Sequence, residues 1–343
     1  MTRIPKISGL LLIAGILVST RINAQEASEV VRLDSAADAI VPAGARAQQL
    51  AEGYAFLEGP VWVRKGGYLL FSDIPANVID KRTSDGKVSV FLKPSGYTGT
   101  DPSQAGRTID NGRATVNLVG SNAVTVDRQG RIVFCAQGDR SVVRIEKDGK
   151  RTVLADRYEG KRLNSPNDLV YKSDGALYFT DPPAGLPKGD DDPKKEIPFD
   201  GVFLLKDGKL QVLDKSFLRP NGLAFAPGEK FFYVNDSFKK TIMRFEVRPD
   251  DTLANGQVFI DMNGDDASGV PDGMKVDLKG NVYCTGPGGV WIISPEGKHL
   301  ATIKTSERIT NLAFGNTDGK MLYLTGRTGE LFGINLKVAG IRP

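Results

Sequence analysis

Short apolar runs alternate with polar turns along this chain, and one arrangement of them occurs six times. Each copy has an apolar run, a turn that contains glycine, and a second apolar run of three or four residues. We call the residue at which each copy begins its slot residue; the six are Glu58, Asn122, Asn167, Asn221, Asp272 and Thr310. No stretch keeps the period of an amphipathic helix over a useful length. The pattern therefore predicts strands in six repeats.

Each repeat continues into further strands. In the first repeat a third apolar run, Val78–Lys81, is followed by a turn at Asp85-Gly86 and a fourth run, Val88–Leu92. Asp-Gly between apolar runs is a strong hairpin signal. Repeats of about 40–50 residues built from several strands are typical of propellers. The predicted fold is all-β, a six-bladed β-propeller with four antiparallel strands per blade, in which residues 25–50 supply an outer strand that closes the ring.

The N-terminus has the features of a secretory signal peptide. Arg3 and Lys6 precede an apolar run at residues 10–18, and the small residue Ala24 follows. The apolar run is too short to span a membrane as a helix. We therefore predict a signal peptide at residues 1–24 and an exported protein, periplasmic or secreted, with no membrane association after the signal is removed.

The remaining chain, residues 25–343, is predicted to form one propeller domain. The full sequence carries a formal charge of +4, and the signal segment holds three basic residues and no acidic one, which leaves +1 (4 − 3). No basic stripe remains that would indicate nucleic-acid binding. The sequence does not indicate an oligomeric state.

The two cysteines occupy equivalent strands of different repeats. Cys135 lies in the second repeat and Cys284 in the fifth. A six-fold ring would hold these strands far apart, although export would permit a disulfide. We expect two buried free thiols.

The slot residues predict a cation site. In a propeller, equivalent positions of the innermost strands meet around one axis, so two carboxylates and three amides would converge. Oxygen ligands of this kind suit Ca²⁺. The sequence has no Cys/His cluster of the kind that usually binds zinc or copper. The alternative is that Asn and Asp only shape turns, which accounts for one or two of the six positions better than for five.

Two further features have open interpretations. Aspartates end the second strand of three repeats, at Asp73, Asp181 and Asp236, where they are expected to cap loops, with a role near a substrate as the alternative. Two long segments, residues 97–117 and 184–200, interrupt the repeats. The segment at residues 184–200 is a solvated loop or a lid over one mouth of the channel, since long loops in compact folds are often functional. A metal clip at its acidic run, Asp190-Asp191-Asp192, is disfavoured because neighbouring lysines indicate a solvated segment.

Several motifs resemble one known family. They are Glu58-Gly59-Pro60-Val61-Trp62, Asn164-Ser165-Pro166-Asn167-Asp168, Thr180-Asp181-Pro182-Pro183, Arg219-Pro220-Asn221-Gly222-Leu223 and Pro271-Asp272-Gly273-Met274. From Tyr54 to about Leu336, the chain resembles the gluconolactonase branch of the senescence-marker-protein/gluconolactonase/luciferin-regenerating-enzyme family. The resemblance implies a six-bladed propeller that binds one divalent cation, usually Ca²⁺, and hydrolyses sugar lactones. It also implies that Glu58, Asn221 and Asp272 are metal ligands and that Asn167 contacts metal or substrate.

The chain departs from this family at the expected substrate wall. Gluconolactonase-like members commonly have Glu-His where this chain has Ala136-Gln137, and a tyrosine where it has Ala184. The only histidine, His299, lies in a predicted outer strand and is expected at the surface. A mechanism that uses a histidine at position 137 is therefore excluded.

We predict metal-dependent hydrolysis of a sugar lactone or a related lactone by water. The predicted metal ligands are Glu58, Asn167, Asn221 and Asp272, the catalytic base is Asp272, and the substrate-binding residues are Asn167, Asn122 and Gln137. Ca²⁺ is the expected cofactor, with Mg²⁺, Mn²⁺ or Zn²⁺ as alternatives, and the partner is a small lactone. A non-catalytic ligand-binding propeller with a structural metal stays open. A quinone-dependent sugar dehydrogenase is disfavoured because the channel has no histidine.

Overall fold

The computed structural model describes residues 28–341, so the predicted signal peptide lies outside the described residues. Six antiparallel sheets form the six blades of a propeller, and their strands follow sequence order from the axis outward, except that N-terminal strands form the outer edges of blades 5 and 6. The predicted fold class is confirmed.

The strand bounds follow the predicted repeats closely. From innermost to outermost, they are Leu57–Val63, Tyr68–Asp73, Val78–Thr83 and Val88–Leu92 in blade 1; Val124–Val126, Ile132–Ala136, Ser141–Ile145 and Arg151–Ala155 in blade 2; Leu169–Tyr171, Leu177–Asp181, Gly201–Lys206 and Lys209–Asp214 in blade 3; Pro220–Phe225, Phe231–Asp236, Thr241–Val247 and Leu253–Asp261 in blade 4; Met274–Val276, Val282–Gly286, Gly289–Ile293 and His299–Lys304 in blade 5; and Ile309–Gly315, Met321–Gly326 and Leu331–Asn335 in blade 6. The remaining elements are the hairpins Thr108–Asp110/Thr115–Asn117 and Arg157–Tyr158/Lys161–Arg162, and the 3₁₀ turns Ser35–Ala39, Pro102–Gln104 and Gly189–Asp191.

The N-terminal part of the chain closes the ring. The strand Gln48–Ala51 pairs antiparallel with Leu331–Asn335 and becomes the outermost strand of blade 6, as predicted. A second strand, Glu29–Arg32, pairs with His299–Lys304 and gives blade 5 a fifth strand that was not predicted. The N-terminal segment is therefore held by two adjacent blades.

The hydrophobic core lies between neighbouring blades. For example, Val61 and Leu70 of blade 1 pack in one cluster with Val124 and Phe134 of blade 2. Burying both faces of a sheet in this way explains why the central strands are apolar at nearly every position. Among residues 28–341 no helix is long and apolar enough to cross a membrane.

Both cysteines are buried and free, as predicted. Cys135 belongs to the core cluster between blades 2 and 3, and Cys284 to the cluster between blades 4 and 5.

Candidate active site

The slot residues lie at the start of the innermost strands and are linked directly from blade to blade. The N–H of the residue after one slot donates to the main-chain carbonyl oxygen of the next slot. Ala123 donates to Asn167 at 3.0 Å, Gly222 donates to Asp272 at 3.0 Å, and Gly273 donates to Thr310 at 2.8 Å. These bonds fix the register of neighbouring blades.

The glycines after the slot residues allow this close approach. A Cβ atom at Gly222 would lie 2.2 Å from the carbonyl oxygen of Asp272, and one at Gly59 would lie 2.2 Å from the Cα atom of Ala123. Gly59 also has a φ of +48°, in the left-handed region that disfavours other residues. Close packing between neighbouring blades thus explains why glycine follows Glu58 and Asn221 in the sequence motifs.

The aspartates at the ends of second strands hold the loops that lead into the slots. Asp181 accepts the N–H of Ser165 at 2.6 Å, and Asp236 accepts the N–H of Leu218 at 2.8 Å. Asp73 does the same for the loop of blade 1. The loop-capping interpretation is confirmed.

A cavity of about 250 Å³ opens at this end of the channel and brings together all the predicted site residues. Its lining includes Glu58, Asn122, Gln137, Asn167, Asn221 and Asp272. The sixth slot residue, Thr310, takes no part in the lining; its hydroxyl donates to the carbonyl oxygen of Leu57 at 2.5 Å. Thr310 therefore joins blades 6 and 1.

The opposite mouth has a larger cavity of about 680 Å³. It is lined largely by apolar side chains, such as Trp62, Phe225 and Phe314, and by none of the slot residues. The smaller cavity is the better candidate because its floor concentrates polar groups.

Glu58 is buried with one carboxylate oxygen already engaged. Its Oε2 accepts the N–H of Gly59 at 2.9 Å and the side-chain amide of Asn311 at 3.0 Å. Burial, and next the charge of Asp272, raise the pKa of Glu58 well above its ordinary value. The Oε1 atom is left to bind a ligand.

Two carboxylates, Glu58 and Asp272, lie at the floor of the cavity, and a third, Asp168, lies close behind them. Burial raises the pKa of Asp272 to about 6, against the lowering effects of Arg308 and of a hydrogen bond from Asn221. The charge of Asp168, one residue after Asn167, adds to the rise for both Glu58 and Asp272. A bound cation would offset this mutual repulsion.

Two amide oxygens at the site have no partner. The Oδ1 atoms of Asn122 and Asn221 are buried and accept no hydrogen bond. An unsatisfied buried acceptor is costly, and a cation would satisfy it. Residues 28–341 contain no cluster of three His, Cys, Asp or Glu side chains arranged to hold a metal. A cation here would therefore depend on amide oxygens as well as on Glu58 and Asp272, which is the predicted ligand type.

Gln137 is fully buried, and the protein itself satisfies its polar atoms. Its Oε1 accepts from Asn122 at 3.0 Å, and its Nε2 donates to the carbonyl oxygen of Leu118 at 2.9 Å. Its neighbour Ala136 packs in the core between blades 1 and 2, whereas Ala184 lines the cavity. Of the three departures from the family pattern, only Gln137 and Ala184 face the site.

The two long segments meet beside the cavity. The N–H of Gly106 donates to the carbonyl oxygen of Gly185 at 2.7 Å, and the Lys194 ammonium donates to Gln104 at 2.8 Å. Asp190, in the acidic run, pairs with Arg219 and Lys195 rather than with other carboxylates around a cation.

Four arginines that were not predicted also line the cavity: Arg107, Arg219, Arg308 and Arg327. A repeat signal was available for two of them, because Arg219 and Arg308 each stand two residues before a slot residue. His299 is outside the cavity; it is partly buried and stacks on Trp291 with ring centroids 3.7 Å apart. The surface position expected for His299 is therefore only partly correct.

Comparison with known proteins identifies the family. Residues 56–328 match the model of the SMP-30/Gluconolactonase/LRE-like region, and the chain belongs to this family. It is 35% identical over 313 residues to a gluconolactonase from Zymomonas mobilis, which covers 88% of this chain and 85% of that protein. The structure of a gluconolactonase from Xanthomonas campestris aligns with a TM-score of 0.76 at 30% identity, over 91% of this chain and 96% of the other. A pentonolactonase from Haloferax volcanii is 26% identical over 215 residues, 60% of this chain and 67% of that protein.

Proposed function

We propose that this protein hydrolyses a sugar lactone or a related lactone, with a divalent cation bound at the floor of the cavity. Two lactonase relatives, named as gluconolactonases, are similar over most of the chain. The observation that carries the proposal is the floor itself, where two partnerless amide oxygens lie with Glu58 and Asp272 at the blade junctions.

The residues that would hold the cation are Glu58, Asn221 and Asp272, with Asn167 beside them. Their oxygens suit Ca²⁺ first, and Mg²⁺ or Mn²⁺ next, because these ions prefer carboxylate and carbonyl ligands. When bound, the cation would supply polarisation of the lactone carbonyl and positive charge for the developing oxyanion.

Water is the nucleophile, because the cavity offers no Ser/His or Cys/His pair. Asp272 takes a proton from the attacking water, a bond forms between the water oxygen and the carbonyl carbon, and the ring C–O bond breaks. The protonated Asp272 returns its proton to the ring oxygen, which becomes a hydroxyl, and the acid product releases one proton near neutral pH. Asn167 and Asn122 bind substrate hydroxyls, and Gln137 orients Asn122 through their hydrogen bond.

The test is turnover on a panel of five- and six-membered lactones, followed by pH-stat, in the wild type and in Asp272→Asn. At a metal concentration high enough to saturate the variant, we expect it to lose at least about a hundredfold in kcat, the lower range for general-base catalysis. Full activity in a metal-loaded variant would remove Asp272 as the base. No turnover by metal-loaded wild type would instead favour the non-catalytic binding propeller, for which the apolar Ala184 in the wall is the supporting observation.

A further inference from the structure

The arginines of the cavity come from three separate parts of the fold. Arg308 and Arg327 flank the first hairpin of blade 6, and the N–H of Arg327 donates to the carbonyl oxygen of Arg308 at 2.9 Å. Arg219 precedes the innermost strand of blade 4, and Arg107 belongs to the segment between blades 1 and 2. Each side chain is only partly exposed. The arginines therefore form a wall above the carboxylate floor.

Of these four guanidinium groups, only that of Arg219 forms an ion pair within residues 28–341. Arg219 pairs with Asp190 at 2.7 Å, and Arg327 donates to the carbonyl oxygen of Asp110 at 2.5 Å. The Nε atoms of Arg107 and Arg308, like that of Arg219, are buried without a hydrogen-bond partner. Neither Arg107 nor Arg308 forms an ion pair within residues 28–341, although the charge of Arg308 opposes the rise that burial causes in the pKa of Asp272. Buried donors of this kind cost free energy unless a ligand satisfies them.

The arginines also repel one another. Burial, and next the charge of Arg219, lower the pKa of Arg107; burial and the charge of Arg308 lower the pKa of Arg327. The cavity lining has four arginines and two carboxylates. Asp190, which pairs with Arg219 from outside the lining, reduces the formal excess to +1 (4 − 3), and the proposed cation would add two positive charges. A neutral lactone would leave this excess uncompensated.

We propose that the substrate is a lactone that carries a second anionic group, a carboxylate or a phosphate ester, and that Arg107 and Arg308 bind this group. Guanidinium groups match both anions because their planar fork donates two parallel hydrogen bonds. The claim that the bound anion is part of a substrate rests on the proposed lactone hydrolysis. The anion site itself rests on the arginines alone. Arg327, held beside Arg308 by the main-chain bond, adds positive charge to the same side of the cavity.

A competing use of the arginines is to bind the carboxylate that hydrolysis creates. Every lactone gives that carboxylate, so this use predicts equal losses on neutral and anionic substrates when an arginine is removed. A site for a second anion predicts a loss confined largely to anionic substrates. The ratio of kcat/KM for anionic lactones to kcat/KM for neutral lactones therefore distinguishes the two uses.

The kinetic test compares kcat/KM for glucono-δ-lactone, which is neutral, with D-glucaro-1,4-lactone and 6-phosphoglucono-δ-lactone. We expect wild type to prefer at least one anionic lactone by tenfold or more at low salt, and the preferred one identifies the anion as carboxylate or phosphate. In Arg308→Gln and in Arg107→Gln that preference should fall at least tenfold. Arg64→Gln, which removes an exposed charge outside the cavity, is the matched control and should keep the wild-type ratio. A preference absent in wild type, or one that survives both cavity variants, overturns the proposal.

Binding of the open-chain acids gives a readout independent of turnover. Isothermal titration of the chelator-treated protein with gluconate, glucarate and 6-phosphogluconate should show tighter binding of a dianion by tenfold or more, and Arg308→Gln should abolish the difference. Arg107→Gln, in a different segment, serves if Arg308→Gln does not fold. Equal affinities for gluconate and both dianions contradict the anion site. If a dianion binds through the arginines but no lactone is hydrolysed, the anion site is supported and lactone hydrolysis is contradicted. If lactones are hydrolysed but the dianions bind no more tightly than gluconate, hydrolysis is supported and the anion site is contradicted.

Discussion

At the scale of single residues, the glycines beside the slots set how closely two blades approach. Gly222 has no positive φ, so the obstacle to a side chain there is steric. A new Cβ atom would lie 2.2 Å from the Asp272 carbonyl oxygen, 2.8 Å from the Met274 nitrogen and 2.9 Å from Nδ2 of Asn235. We expect Gly222→Ala to lower the free energy of unfolding by about 1–3 kcal/mol, the usual cost of overpacking. The measurement is denaturant unfolding.

The matched control is Gly264→Ala. A Cβ atom at Gly264 would meet nothing within 4 Å, and its φ lies outside the left-handed region. We expect a change below about 0.5 kcal/mol for this exposed site. Equal effects of the two substitutions would show that the blade junction is not tightly packed.

We expect Ca²⁺ affinity to depend on the charge of Glu58 more than on the size of its side chain. Glu58→Gln keeps the size of the side chain and removes one of two carboxylates from the floor, so Ca²⁺ affinity should fall at least about tenfold, or about 1.4 kcal/mol. Competition with a fluorescent Ca²⁺ indicator measures the dissociation constant. The exposed Glu29→Gln is the control. Unchanged affinity in Glu58→Gln would mean that Glu58 is not a ligand.

The cavity residues were predictable to different degrees. Glu58, Asn122, Asn167, Asn221 and Asp272 share a repeat register, and the propeller axis brings that register together. Thr310 shares the register too, but its short side chain bonds to the neighbouring blade instead. Arg107 could not be placed, because the path of the segment between blades 1 and 2 depends on tertiary contacts that have no repeat signal.

At the scale of secondary-structure elements, the hairpin turns in the sequence were the main basis for predicting the strands and their pairing. Asp-Gly turns fix strand pairing locally, so four strands per blade could be read from the sequence. The closing strand Gln48–Ala51 followed from the missing strand of blade 6. The strand Glu29–Arg32 could not be predicted, because it adds to an already complete blade and its pairing is set by the path of the chain between the two blades.

The loops of blade 6 contain a carboxylate pair, which predicts a dependence of stability on pH. Burial, and then its hydrogen bond with Glu330, raise the pKa of Glu307 to about 8. The folded protein thus holds this proton more tightly than the unfolded chain, whose glutamates titrate near their ordinary pKa of about 4.3. The contribution to stability is fully present below that ordinary value and is lost as pH rises through about 8.

We therefore expect the free energy of unfolding to fall between about pH 5 and pH 8, and Glu307→Gln to flatten this decline. Urea unfolding at several pH values measures both curves. The control is Glu52→Gln, which removes an exposed carboxylate and should leave the slope unchanged. The same slope in wild type and Glu307→Gln would show that another group is responsible.

At the scale of the whole molecule, the propeller brings short motifs that are far apart in sequence together in one cavity. No single repeat contains a metal or substrate motif with more than a few residues, and the proposed ligands Glu58 and Asp272 are 214 residues apart in sequence (272 − 58). The ring brings them to one mouth, and the two segments at residues 97–117 and 184–200 add the wall that carries Arg107 and Ala184. The family could be predicted because the motifs around the slot residues resemble those of known members. We expect the proposed preference among lactones to depend on Arg107 of the added wall and on Arg308 of blade 6.

The most direct measurement is hydrolysis of glucono-δ-lactone and the two anionic lactones by pH-stat after chelation, with the absence of metal checked by elemental analysis. We expect turnover to disappear with the metal and to return when Ca²⁺, or less effectively Mg²⁺ or Mn²⁺, is restored. Full turnover by protein shown to be metal-free would contradict metal-dependent lactone hydrolysis at this cavity.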